Sequence, residues 1–172
     1  MKMTELRYKS IRVRKLIFIT AAVIFLSGIW NVAKAQEDPP RPPSITLARN
    51  LSFGAFYTTT GGTVTVDQYD TRTSFNVTLF TFSSISAARF NIYANRGTII
   101  NILNIPDFQL TNGSYSMTVS ITATNPLLPF VNDNTYVVPT VLTMGATLTV
   151  GAPVSNPPGN YSGTFDVTLV IE

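Results

Sequence analysis

From Ser44 onward, apolar and polar positions alternate in stretches of five to eight residues, each closed by turn residues. A period of two marks a strand with one face in a core and one toward water. The pattern predicts strands near Ile45–Arg49, Leu51–Tyr57, Thr63–Asp67, Ser74–Phe82, Ala88–Tyr93, Thr98–Asn104, Ser116–Thr124, Tyr136–Thr143, Thr147–Val150 and Gly163–Ile171. Within Ser74–Phe82 the alternation changes phase: Phe75, Val77 and Leu79 read as inward and then give way to Phe80 and Phe82, which predicts a bulge or a bend between sheets.

The punctuation is of the same kind. Gly61-Gly62 and Asn112-Gly113 suit hairpin turns that require positive φ, and Asn125 to Asn134 carries prolines and asparagines enough for a longer loop. The 22 threonines after residue 35 fall mostly at outward strand positions, where a β-branched polar side chain fits a half-wet pleated surface. No helical period is sustained in this stretch. Short strands with turns every ~8–12 residues predict an all-β, antiparallel sandwich over 44–172.

The last segment is the most strand-like. Phe165, Val167, Leu169 and Ile171 share one face, with Thr164, Asp166 and Thr168 on the other. An unpaired strand of this kind is an aggregation template, so it is expected to pair by backbone bonds, in its own sheet or in a neighbour's.

The first 35 residues follow different rules. A basic start is followed by the 15-residue apolar run LIFITAAVIFLSGIW and then AKA, the pattern of a signal peptide cleaved between Ala35 and Gln36. A 15-residue helix spans only about 22 Å, short of a ~30 Å hydrocarbon core, so a membrane is expected to be met only in transit during export. Residues 36–43, QEDPPRPP, hold four prolines and read as a stiff linker that cannot be an inner strand.

Removing the leader reverses the charge. Residues 1–35 hold seven Lys and Arg and one acid, leaving five Arg and eight acids beyond them, a net −3. With no lysine and no basic stripe after residue 35, nucleic acid is not an expected partner. The chain has no cysteine and no histidine, which excludes thiol and histidine nucleophile sites, disulfides and zinc-type ligand sets. No cofactor or metal is expected, and no catalytic residue is assigned. Asp67 and Asp70, beside Arg72, form the closest carboxylate pair and read as a solvated turn with a weak ion pair rather than as a hydrolytic or calcium site. The sequon matches at Asn50, Asn76, Asn112 and Asn160 are those that a chain rich in Asn, Ser and Thr gives by chance.

Three segments, LSFGAFYTTTGGTVTV at 51–66, ARFNIYANRGTIINILNIP at 88–106 and TLTVGAPVSNPPGNYSGTFDVTLVIE at 147–172, together resemble the bacterial domain-of-unknown-function family 4402. The resemblance implies an exported, immunoglobulin-like domain akin to spore-coat-U-type pilin domains, and it implies no activity. In chaperone-usher pilins the last strand follows a glycine 14 residues from the end, a place that Gly159 takes here, and an N-terminal extension completes a neighbour's sheet. Only Ile45 and Leu47 are available for such a donor role in this chain, whose extension is broken by proline and which lacks the disulfide common in those pilins.

The expected function is that of an exported, non-enzymatic structural or adhesive component of the cell surface, a fimbrial-like subunit in its most specific form. Its partners are expected to be copies of itself or other surface proteins, met at sheet edges through Ile45, Leu47, Phe165, Val167, Leu169 and Ile171. The alternative is a secreted carbohydrate- or ligand-binding sandwich that uses Tyr57, Tyr69 and Tyr136.

Overall fold

The computed structural model describes residues 40–171. The expected signal peptide, the Ala35–Gln36 cleavage site and the first residues of the linker lie outside the described residues. Twelve strands follow in order: β1 (Ser44–Arg49), β2 (Phe56–Tyr57), β3 (Gly62–Val66), β4 (Arg72–Phe75), β5 (Thr78–Leu79), β6 (Ala88–Tyr93), β7 (Ile99–Ile102), β8 (Phe108–Asn112), β9 (Tyr115–Asn125), β10 (Phe130–Val131), β11 (Thr140–Val150) and β12 (Leu169–Ile171). Every pairing between them is antiparallel, and the arrangement is the sandwich-like all-β fold that the alternation predicts.

Strand β11 is the spine of the larger sheet. Along one edge, Thr140–Met144 pairs with β6 and Ala146–Val150 with β3, so β6 and β3 lie end to end. Along its other edge, Thr143–Thr149 pairs with β9. Strand β1 extends the sheet beyond β6, β4 beyond β3, and β8 beyond β9. The two ladders meet at Gly145, where the β9 register shifts. A Cβ on Gly145 would lie 2.8 Å from the Val66 carbonyl oxygen and 2.7 Å from the Asp67 carbonyl carbon, so only glycine lets the β3–β4 turn rest on the spine.

Two smaller sheets, β10-β7-β12 and β2-β5, supply the second layer. The core falls into two clusters. One gathers Phe53, Val64, Val66, Met117, Val119, Leu148 and Val150, and the other gathers Phe90, Ile92, Ile100, Ile102, Leu142 and Met144. Leu51 and Ile121 pack against both. Thus β6 shows strict alternation because Ala88, Phe90 and Ile92 face the second cluster while Arg89, Asn91 and Tyr93 face outward, half-covered.

Several expected boundaries are corrected. The two strands expected at Tyr136–Thr143 and Thr147–Val150 are one 11-residue strand, because Gly145 marks a bulge and not an end. Gly61-Gly62 is not a hairpin: β2 pairs with β5, and the chain passes to the other sheet to form β3. Asn112-Gly113 is one, closing β8 onto β9 with Gly113 at φ 61°, although the alternation at Phe108–Asn112 is too short to announce β8. The expected strand Ser74–Phe82 is β4 and β5 in different sheets, and the change of sheet falls at Asn76, φ 56°, not at Phe80. In the Leu51–Tyr57 segment only Phe56–Tyr57 is strand, Gly54 turning the chain at φ 69°.

Candidate functional site

The second layer is incomplete. Between the segment at 50–58 and the segment at 156–165 lies a half-open cleft of about 960 Å³. Its floor is the inner face of the large sheet, with Phe90, Met117, Leu148 and Val150, and Leu47 stands on one wall. Leu47 is in register with Phe90, so it points to the same inner face, yet it is 59% exposed, no described segment closing over it. An apolar side chain in that position loses the burial that its neighbours in β6 have.

The opposite wall carries an open backbone. Ser162 exchanges hydrogen bonds with Thr111 of β8, and Leu103 N donates to Thr168 O. Between these anchors, Gly163–Val167 makes no backbone hydrogen bond among the described residues. The segment is nevertheless held, by the Gly163 backbone lying against the Gln109 carbonyl of β8 and by its side chains. Phe165 stacks on Phe108 at 4.7 Å and meets Phe90 edge-on at 6.3 Å, and Val167 packs against the second cluster. A row of amides and carbonyls beside an apolar trough is what an incoming strand requires.

The sequence-predicted pairing residues therefore divide. Ile45 in β1 and Leu169 in β12 pair with Ile92 and Ile102 and pack on the second cluster. Phe165 and Val167 pack there but belong to no ladder, so the strand expected from Gly163 is confined to Leu169–Ile171. Leu47 and Ile171 are exposed, Ile171 at the margin of the small sheet opposite Ile100. Among the described residues strand β1 pairs with β6 alone and β12 with β7 alone, which leaves each with an outer edge there.

Asp67 and Asp70 have separate partners. Asp67 closes its own turn by accepting the amides of Tyr69 and Thr71. Asp70, at φ 67°, accepts from Arg49 Nη2 and from the Ala87 amide, with Arg89 Nη2 at 3.9 Å. The Arg49 hydrogen bond, followed by burial acting in the opposite sense, holds the Asp70 carboxyl below its ordinary range. The expected ion pair exists, but its partner is Arg49 and not Arg72. Among the described residues no group of three or more acidic side chains gathers to hold a metal.

Arg72 is occupied elsewhere. Its guanidinium donates to the carbonyls of Phe53, Ala55 and Phe80, at 3.0, 3.4 and 2.6 Å, and so rivets the β2-β5 sheet to the large one. On the outer face of that small sheet Tyr57 stacks on Phe80 at 5.7 Å, and Phe80 on Phe82 at 5.2 Å. Sequence reasoning placed Phe80 and Phe82 inward. Keeping the phase of Val77 and Leu79, which do pack on the first cluster, would have placed both outward.

The other two tyrosines named from the sequence do not join this column. Tyr69 is 67% exposed on the β3–β4 turn. Tyr136 lies beneath the Arg41 guanidinium, donates its hydroxyl to Pro42 O and leans on Tyr93, so residues 41–42 of the expected linker are docked on the body.

An antiparallel, sandwich-like arrangement with open strand edges among the described residues defines the class: an all-β domain. The family model for a domain of unknown function, DUF4402, matches residues 44–170, and the chain belongs to that family. No curated protein and no solved structure matches it.

Proposed function

We propose that the protein is an exported, non-enzymatic structural or adhesive component of the cell surface, a fimbrial-like subunit that assembles by backbone pairing at open sheet edges. The observation that carries this reading is the cleft with Leu47 exposed on one wall and Gly163–Phe165, whose backbone makes no hydrogen bond among the described residues, on the other. An extended segment of a second copy supplies both missing things at once: amides and carbonyls for the wall, and alternate apolar side chains for the trough. The net charge of −3 beyond residue 35 and the absence of lysine there give such contacts little of the like-sign edge charge that blocks strand pairing.

The test has two parts. A tagged copy is imaged on intact, unpermeabilised cells, and the exported protein is taken through a concentration series by light scattering. Label at the surface and assemblies that Leu47→Arg abolishes support the reading. A species that stays monomeric at the highest concentration, with no surface label, overturns it.

A further inference from the structure

The column Tyr57–Phe80–Phe82 is a second feature, independent of the cleft reading. Exposed aromatic rings are common singly; three in van der Waals sequence on a braced scaffold are not accounted for by core packing. The middle ring is held firmly. Phe80 N donates to Ala55 O, and Phe80 O accepts from Arg72 Nη2 and Ser83 Oγ. Phe82, stacked on it, is 81% exposed, and Tyr57 is 51% exposed.

The surroundings restrict the ligand. The exposed hydroxyls of Thr78, Thr81 and Ser84 have no hydrogen-bond partner among the described residues, and neither does the Tyr57 hydroxyl. Arg72, the cation beneath, has its guanidinium engaged by carbonyls and the Ser83 hydroxyl. An exposed ring face, with the Tyr57 hydroxyl at one end of the column and Thr78 in register with Tyr57, complements a neutral molecule with one apolar face and a polar rim. A pyranose whose hydroxyls are all equatorial has that form, since its axial C–H bonds make a flat face and its hydroxyls radiate in the plane. The Arg72 guanidinium is committed to backbone carbonyls beneath the column, which favours an uncharged ligand over an anionic one.

We propose that Tyr57, Phe80 and Phe82 form a stacking platform for a neutral, gluco-configured oligosaccharide, with a sugar ring continuing the column on the bare face of Phe82.

The experiment uses the full chain, expressed with export and purified. Its only tryptophan is Trp30, within the expected leader, so tyrosine emission reports on Tyr57 among the other tyrosines. Cellohexaose, mannohexaose and a polygalacturonate are titrated against the wild type, Phe82→Ala and Tyr57→Leu, with calorimetry as the second readout. The expected result is saturable binding of cellohexaose, weakened about tenfold or more by Phe82→Ala, with mannohexaose weaker and polygalacturonate not bound. Because Phe82 is so exposed, thermal unfolding of Phe82→Ala is expected to match the wild type, which separates loss of the platform from loss of the fold. No binding of cellohexaose by the wild type, or binding that Phe82→Ala leaves unchanged, overturns the proposal. So does a concentration-dependent dimer that Phe82→Ala dissolves, which would make the column a contact between copies.

Discussion

Arg49 and Asp70 meet at the joint where the β3–β4 hairpin abuts the start of β6. Arg49 reaches across from the end of β1 to donate to Asp70 Oδ1, the same oxygen that accepts the Ala87 amide. The carboxylate thus replaces the ladder bond missing where β3 gives way to β6 along the spine. Its backbone at φ 67° is one that Asp and Asn tolerate better than most residues, which helps explain why a short acidic side chain stands there.

Acid should loosen this joint. The carboxyl of Asp70 titrates below its ordinary value chiefly because of the Arg49 hydrogen bond. A folded-state pKa below the unfolded one contributes stability above the unfolded pKa, near ~3.9, that is lost as pH falls through the folded value. Asp70→Asn keeps the positive φ and an acceptor for Ala87 but removes the charge. Chemical denaturation at about pH 7 and about pH 2.5 should show a smaller acid loss in Asp70→Asn than in the wild type. The difference is expected to be about 1 kcal/mol or less, since the pair is about a third exposed. Equal acid losses would mean that Asp70 is not the titrating joint.

Gly145 tests the spine. A methyl group there meets the carbonyl of Val66 and the backbone of Asp67 and Gln68, none of which is a flexible side-chain end. Gly145→Ala is expected to lower stability by about 1–3 kcal/mol, read as a lower denaturant midpoint with an unchanged slope. Gly113→Ala, at a turn with open space around it, carries only the cost of its positive φ and is expected to lose less.

How far the sequence announced these features depends on whether the signal is local. Strand β6 coincides with its prediction, and β1 extends it by one residue, because each is a single run with one clear inner face. Strand β11 was divided because glycine ordinarily punctuates strands; that Gly145 sits under a turn 75 or more residues earlier is a tertiary fact that no window contains. The cleft is legible only in part. Leu47 and Phe165 were singled out by alternation, but that one stays bare and the other packs without a ladder follows from the layer they face. The aromatic column is hidden for another reason: Phe80 and Phe82 are apolar enough to read as core, although the phase of Val77 and Leu79 puts them outward.

Arg72 should behave as a rivet. Its three carbonyl contacts join segments separated by the change of sheet at Asn76. Arg72→Met keeps much of the stem and removes the donors, leaving those carbonyls to find water or stay unpaired. A loss of about 2 kcal/mol is expected, with amide exchange speeding first at Ala55 and Phe80. If exchange accelerated uniformly over the domain, the small sheet would not be a separately opening unit.

The segment Gly163–Val167 makes the most discriminating prediction, because no backbone hydrogen bond holds it among the described residues. Phe165→Ala removes the ring that stacks on Phe108 and abuts Phe90, both of which line the cleft. As Phe165 is half-buried, the cost is expected to be about 2–3 kcal/mol, below that of a fully buried ring. Deleting residues 163–172 also removes Val167 and β12, strips the second cluster of its cover and takes away the β7 pairing, so the shortened chain is expected to lose cooperative unfolding. Amide exchange on the intact protein separates the two roles. Amides of Gly163–Val167 should exchange fast in the monomer, since no backbone acceptor holds them, while Leu103, bonded to Thr168 O, stays protected. Protection that appears at Gly163–Val167 only on assembly would mark this edge as the one a neighbouring strand fills.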